Sequence, residues 1–162
     1  MGEIENYRIM KESSKFPIIV QVLGLVQMFV VLGLIYNQTT DKPDVVLAVS
    51  VGILLLVTFF RVRLKIDDEG IHVRTLLFIK KTYLWSEIEK VNIGKLYAVK
   101  HFGGWGLRLS KIHGIGYISG TDHAIYIQLY NGKKRAISVK NDSLAEKVII
   151  QQRKKEENLV QS

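Results

Sequence analysis

The chain has 162 residues, 48% of them hydrophobic, no cysteine and a formal charge of +8. That length holds one domain of ordinary size, or a smaller domain with a membrane anchor. The lack of cysteine excludes a disulfide scaffold, thiolate zinc ligands and a cysteine nucleophile. Charge divides the chain: residues 1–60 carry 4 basic and 5 acidic side chains, whereas residues 61–162 carry 19 and 10.

After a short segment (1–15) that precedes any apolar run, residues 16–40 contain no Asp, Glu, Lys, Arg or His, and 16–36 is almost wholly apolar. At about 1.5 Å per residue those 21 positions cover roughly 30 Å, the thickness of the hydrocarbon layer. A second uncharged run, 45–60, reaches about the same span once Pro43 and Val62 are added and Arg61 extends to the headgroups. The polar linker 37–43 makes the two predicted helices, 16–36 and 44–61, antiparallel neighbours. Arg8, Lys11 and Lys15 precede the first helix and Arg61, Arg63 and Lys65 follow the second, while the linker has only Lys42 against Asp41 and Asp44. This bias places both termini in the cytoplasm of a multi-pass cell-membrane protein. Gln21, Gln27 and the Ala48/Gly52 pair are candidate helix–helix contacts. With no charged residue inside either span, an ion or proton pathway is not expected.

The basic part reads as strands followed by a helix. Phe60, Val62, Leu64 and Ile66 alternate with Arg61, Arg63 and Lys65. The acidic turn 67–70 leads to an extended run over 71–78, a third strand over about 80–84, a helical turn capped by Ser86-Glu87-Ile88-Glu89, and a strand near 90–99. Glycines then punctuate the chain. Ile125, Ile127 and Leu129 point inward, Asn131-Gly132 predicts a type I′ turn, and Ile137 and Val139 lie on the return strand. A helix starts near Asp142, with Ser143 and Glu146 as its cap and Leu144, Val148 and Ile149 as its stripe; beyond Arg153 the polar tail should fray. The expected fold is an α+β membrane protein: a transmembrane helical hairpin (16–61), then an antiparallel sandwich or barrel of about seven strands with a C-terminal helix (62–152), then a tail (153–162).

The order of "IDDEGIHVRTLLFIKKTYLWSEIEKV", "FGGWGLRL" and "YIQLYNGKKRAISV" resembles bacterial pleckstrin-homology-like domain membrane proteins over roughly residues 15–150. The markers are Trp85-Ser86-Glu87-Ile88, the run Gly103-Gly104-Trp105-Gly106-Leu107-Arg108, and Asn131-Gly132-Lys133. The resemblance implies a pleckstrin-homology-like barrel held against the cytoplasmic face, without enzymatic activity. Relatives also occur among proteins that protect bacteriocin producers from their own product. Phosphoinositide binding is not carried over, since the basic loop that serves it elsewhere is not matched.

Catalytic chemistry finds little support. His72, His101, His113 and His123 lack ligand spacing, and His113, Asp122 and His123 read as a polar loop, so no metal and no cofactor are expected. Asp67, Asp68 and Glu69 occupy a turn where acids are common. No Gly-x-Ser-x-Gly is present, and Gly114-Ile115-Gly116 opens no βαβ unit.

Candidate binding residues fall in three groups. Arg61, Arg63 and Lys65 share one face of the first strand, near an anionic inner leaflet where each is worth about 1 kcal/mol. Lys133, Lys134 and Arg135 lie at the last hairpin. Trp105, with Arg108 on the next strand, either closes the barrel end, anchors a partner, or sits at the membrane interface. The leading expectation is a non-enzymatic, membrane-tethered binding module acting on a protein partner or anionic lipid headgroups. Self-protection against a membrane-active peptide and an accessory role to a partner-dependent enzyme are the alternatives. No nucleic acid is expected; homo-oligomerisation is open.

Overall fold

In the computed structural model, which describes residues 9–37, 41–75 and 79–160, the chain begins with a strand that the apolar pattern gave no reason to expect. β1 (Met10–Lys15) reads Met-Lys-Glu-Ser-Ser-Lys, with only Met10 and Ser14 buried. It pairs antiparallel with β2 (Arg61–Ile66), Lys15 standing opposite Arg61 at one end and Met10 opposite Ile66 at the other. The two apolar helices, α1 (Ile18–Tyr36) and α2 (Pro43–Phe59), are therefore inserted between neighbouring strands of one sheet. Residues 10–15 belong to the domain, which does not start at position 62.

β3 (Gly70–Thr75) and β4 (Ile79–Leu84) complete a four-stranded sheet in the order β1-β2-β3-β4. The expected run over 71–78 ends within it, and its last three positions lie outside the described residues. Trp85–Glu87 forms a 3₁₀ turn with no side-chain cap, so the Ser86 capping box is not made. β5 (Ile88–Lys95) stops four residues short of its expected end, and α3 (Ala98–Phe102) follows, closed by Gly103 in the left-handed region. β6 (Gly106–Ser110), β7 (Gly114–Ile118), β8 (His123–Leu129) and β9 (Lys134–Val139) join β5 in a second sheet, ordered β5-β8-β9-β7-β6 with β7 parallel to β9. The described residues thus hold nine strands, in sheets of four and five, where about seven were expected.

The β8–β9 connection is a three-residue loop over 130–132. Leu129 donates to Lys133 O, and Gly132, at φ 76°, donates to Leu129 O. That is a longer turn than the two-residue type I′ form. α4 (Asp142–Val160) is capped by Asn141, whose Oδ1 accepts from Leu144 N at 3.0 Å, and not by Ser143; it runs on past Arg153 as helix.

One core holds the sheets together. Val62, Leu64, Ile66, Ile71 and Val73 of the first sheet meet Ile125, Ile127, Leu129, Ile137 and Val139 of the second, with Ala145, Val148 and Ile149 of α4 packed into the same cluster. The expected inward residues of the last hairpin and of α4 are all found there. A second, smaller cluster lies on the other face of the five-stranded sheet, where Ala124, Ala136 and Ile118 point away from the core, and Leu96, Phe102 and Trp105 cover them.

α1 is long and apolar enough to cross a membrane by length and composition; α2 is equally uncharged beyond Asp44 but has 17 residues. Most of their apolar surface is exposed, only Gly24, Val31 and Ser50 being buried. They meet at Gly24, beside Leu54 and Val57, and through Gln27 Nε2, which donates to Ser50 Oγ at 3.3 Å. The Ala48/Gly52 pair is not the contact: both residues are exposed, and a Cβ on Gly52 would meet nothing within 4 Å. Gln21 instead donates to Phe16 O at 3.0 Å. Where the helices join the sheet, Phe16 and Phe60 stack with centroids 4.4 Å apart.

Candidate functional site: a basic sheet face

Alternation along a strand sends every second side chain to the same face. In the four-stranded sheet, Val62, Leu64, Ile66, Ile71 and Val73 take the inner face. Lys11, Ser13 and Lys15 of β1, Arg61, Arg63 and Lys65 of β2, His72 and Arg74 of β3, and Lys80 and Thr82 of β4 take the outer one. Among the described residues of these strands, no outward position is a carboxylate.

The register sets like charges opposite one another: Lys15 with Arg61, Lys11 with Lys65, Arg63 with Arg74, and Arg74 with Lys80. Directly opposed like charges destabilise a sheet by a fraction of a kcal/mol each. A shallow groove of about 490 Å³ runs over this face, lined by Lys11, Ser13, Arg63, His72, Arg74 and Lys80 among others.

Charge is not spread evenly along the strands. At the end away from the helices, Lys65 pairs with Asp67, and His72 Nε2 lies 2.8 Å from the same carboxylate while its Nδ1 is 2.9 Å from Thr82 Oγ1. Burial pushes the Asp67 carboxyl up, but the hydrogen bonds from Lys65, His72 and the Glu69 N–H outweigh it and hold the pKa at about 2. Asp67, Glu69 and His72 bring their ligand atoms within 4.8 Å of one another. Their geometry is already accounted for: Asp67 Oδ1 accepts from the Glu69 and Gly70 N–H groups and folds the β2–β3 turn. The end nearer the helices carries Lys15, Arg61, Arg63, Arg74 and Lys80, with no carboxylate among the described outward positions.

The other sequence candidates separate. Lys133 follows the β8–β9 loop, opposite Leu129, and Lys134 and Arg135 belong to β9. Arg135 is half-buried; its Nε donates to Tyr83 Oη at 3.2 Å, with the guanidinium 5.9 Å over that ring. Tyr83 Oη is 3.0 Å from Tyr117 Oη. Burial and the Tyr117 hydroxyl push the Tyr83 phenol up, so it stays neutral, and Arg135 ties the two sheets together. Trp105 is half-buried against the outer face of the five-stranded sheet; Arg108 Nε donates to its carbonyl at 2.8 Å. Trp85 is buried, its Nε1 donating to Asp67 O at 2.8 Å.

Among the described residues, His101, His113 and His123 lie outside the Asp67–Glu69–His72 group. His113 stacks among His101, Phe102 and Tyr126, and burial, with His101 and Lys134 nearby, lowers its pKa. His123 lies 3.8 Å from Asp142.

Sequence reasoning located Arg61, Arg63 and Lys65 but missed Lys11, Lys15, Arg74 and Lys80 as their neighbours. A signal was present in the Lys-x-x-x-Lys spacing of 11–15 and in the alternation of His72 and Arg74 with Ile71 and Val73; only the pairing register unites them. Comparison with protein-family models, with curated proteins and with solved structures gives no match.

Proposed function

We propose that the chain is a non-catalytic, membrane-tethered binding module of pleckstrin-homology-like build, whose four-stranded sheet engages anionic lipid headgroups at the inner surface of the cell membrane. In this reading α1 and α2 both span the bilayer and both termini are cytoplasmic. The 17 residues of α2, about 26 Å of helix, are extended by Phe60 and by the reach of Arg61. Lys11, Lys15, Arg61 and Arg63 outnumber the one Lys of the connecting loop, which Asp41 and Asp44 offset.

The observation that carries the reading is where the like-charged rows begin. Lys15 and Arg61 adjoin the helix ends, and the row Ser13–Arg63–Arg74–Lys80 follows two residues, about 7 Å, farther along the strands. Both rows lie within about one Debye length of a leaflet surface at physiological salt. Opposed cations that weaken an isolated sheet are stabilised by phosphate oxygens placed between them, and the planar guanidinium forks of Arg63 and Arg74 suit bidentate phosphate contacts.

Amine labelling of the full-length protein in vesicles tests this. Lys15 and Lys80 are expected to react with a water-soluble acylating reagent more slowly in phosphatidylglycerol-containing vesicles than in phosphatidylcholine vesicles. Equal labelling in both would overturn lipid engagement, and protection seen only in native membranes would give the face to a protein partner.

A further inference from the structure

Beside the basic face, the loop that carries Trp105 makes a second approach to the bilayer. Val20, the third residue of α1, and Leu56 and Val57, near the end of α2, form one wall of a groove of about 540 Å³; Val99, Trp105 and Leu107 form the other. At 1.5 Å per residue, the loop is thus level with a point only about one turn inside the two helices. Three of its apolar side chains are turned outward: Tyr97 is 53%, Val99 64% and Leu107 46% exposed. Monomeric proteins in water rarely group such residues without an occupant. Gly103, Gly104 and Gly106, at φ 68°, 131° and 102°, give the backbone a path that ordinary side chains would strain, and this path presents Trp105 and Leu107 beside the helices. Lys100 and the exposed Arg108 flank the patch. Aromatic, aliphatic and basic side chains at one depth form the composition of a membrane–water interface.

We propose that residues 97–107 are seated in the interfacial layer of the same leaflet, with phospholipid filling the groove between Trp105 and the helix ends. The inference rests on the reading that α1 and α2 span the membrane, because the groove is continuous with their lipid-facing surface. With β1 and β2 also joined to the helices, the domain is held at two separate places and its orientation over the leaflet is fixed.

The chain has two tryptophans, and Trp85 is only 5% exposed with its indole N–H already bonded, so external quenching reports on Trp105 selectively. The experiment is quenching of the full-length protein in phosphatidylcholine vesicles by lipids brominated near the glycerol end of the acyl chains. Quenching is expected in the wild type and in Trp85→Phe, and its loss in Trp105→Phe, with aqueous acrylamide quenching little. A wild type that acrylamide quenches and brominated lipid does not would overturn the proposal. So would emission that brominated lipid leaves unchanged and that shifts with the protein-to-lipid ratio, since a second copy would then fill the groove. Alkaline extraction separates the two readings: protein that stays in the membrane yet is not quenched refutes the interfacial loop alone, and protein that is released refutes the spans as well.

Discussion

Ser119 Oγ donates to Ser14 Oγ at 2.7 Å across 105 residues of sequence, in a place closed to water. The bond links the strand before α1 to the end of β7, and Ser138 Oγ accepts from Ser119 N at 2.8 Å to bring β9 into the same chain. It is the polar counterpart of the apolar core, fastening the first sheet to the second at the end where α1 and α2 attach. Ser14→Ala leaves the Ser119 hydroxyl buried without its acceptor and should cost about 1–3 kcal/mol. The Ser14→Ala/Ser119→Ala double variant should cost less than the sum of the singles. Denaturant unfolding of the three variants measures both quantities.

Because β1 precedes the helices, the domain cannot be freed by cutting at residue 61. That truncation removes Met10 from the core and bares the β2 edge, so it should aggregate. Excising residues 17–59 and joining Phe16 to Phe60 by Asn-Gly should instead give a folded, soluble chain, since the two strands already pair antiparallel up to Lys15 and Arg61. Circular dichroism and gel filtration of the two chains decide this directly.

Gly120 is where the β7–β8 turn meets the start of α1: it donates to Lys15 O at 2.7 Å, and a Cβ there would lie 2.6 Å from Pro17 N. Gly120→Ala should therefore displace the β1–α1 junction. Gly114→Ala should be worse, since its φ is 68° and a Cβ would meet Lys134 O at 2.0 Å, breaking the β7–β9 pairing. Both should lower the thermal midpoint in detergent, and only Gly120→Ala should also increase protease access at the β1–α1 junction.

Asp67 predicts an acid limb to stability. Its folded pKa, about 2, lies below the unfolded value of about 3.9, so the unfolded chain takes up the proton first. The contribution is present above about pH 4 and is lost as pH falls toward 2. The stability margin of wild type over Asp67→Asn should be constant above that window and shrink within it, as read by urea titrations at stepped pH.

Much of this architecture was legible in sequence because period and hydropathy report burial directly: the alternation at 60–66, the inward residues of the last hairpin and the stripe of α4 all lie where the pattern placed them. What escaped has physical reasons. β1 has two buried positions in six, one of them a serine, so no apolar alternation marks it. β6 and β7 are short and glycine-punctuated, and β7 is placed in the sheet by a parallel pairing with β9, which is distant in sequence. The capping signals at Ser86 and Ser143 were genuine candidates, but a 3₁₀ turn and Asn141 took their places. The basic site was legible only in part, Arg61, Arg63 and Lys65 without Lys11, Lys15, Arg74 and Lys80, because a sheet face is assembled by register, and register is set by the whole core.

The measurement that tests the central claim most directly is co-sedimentation of the excised-hairpin chain with vesicles, since it removes the anchor and leaves the sheet face to act alone. The account predicts binding to phosphatidylglycerol-containing vesicles, weak binding to phosphatidylcholine, a decline with added salt, and loss in Arg63→Glu/Arg74→Glu. A folded chain that binds neither vesicle, or binds both equally in the wild type and the charge-reversed variant, would contradict it.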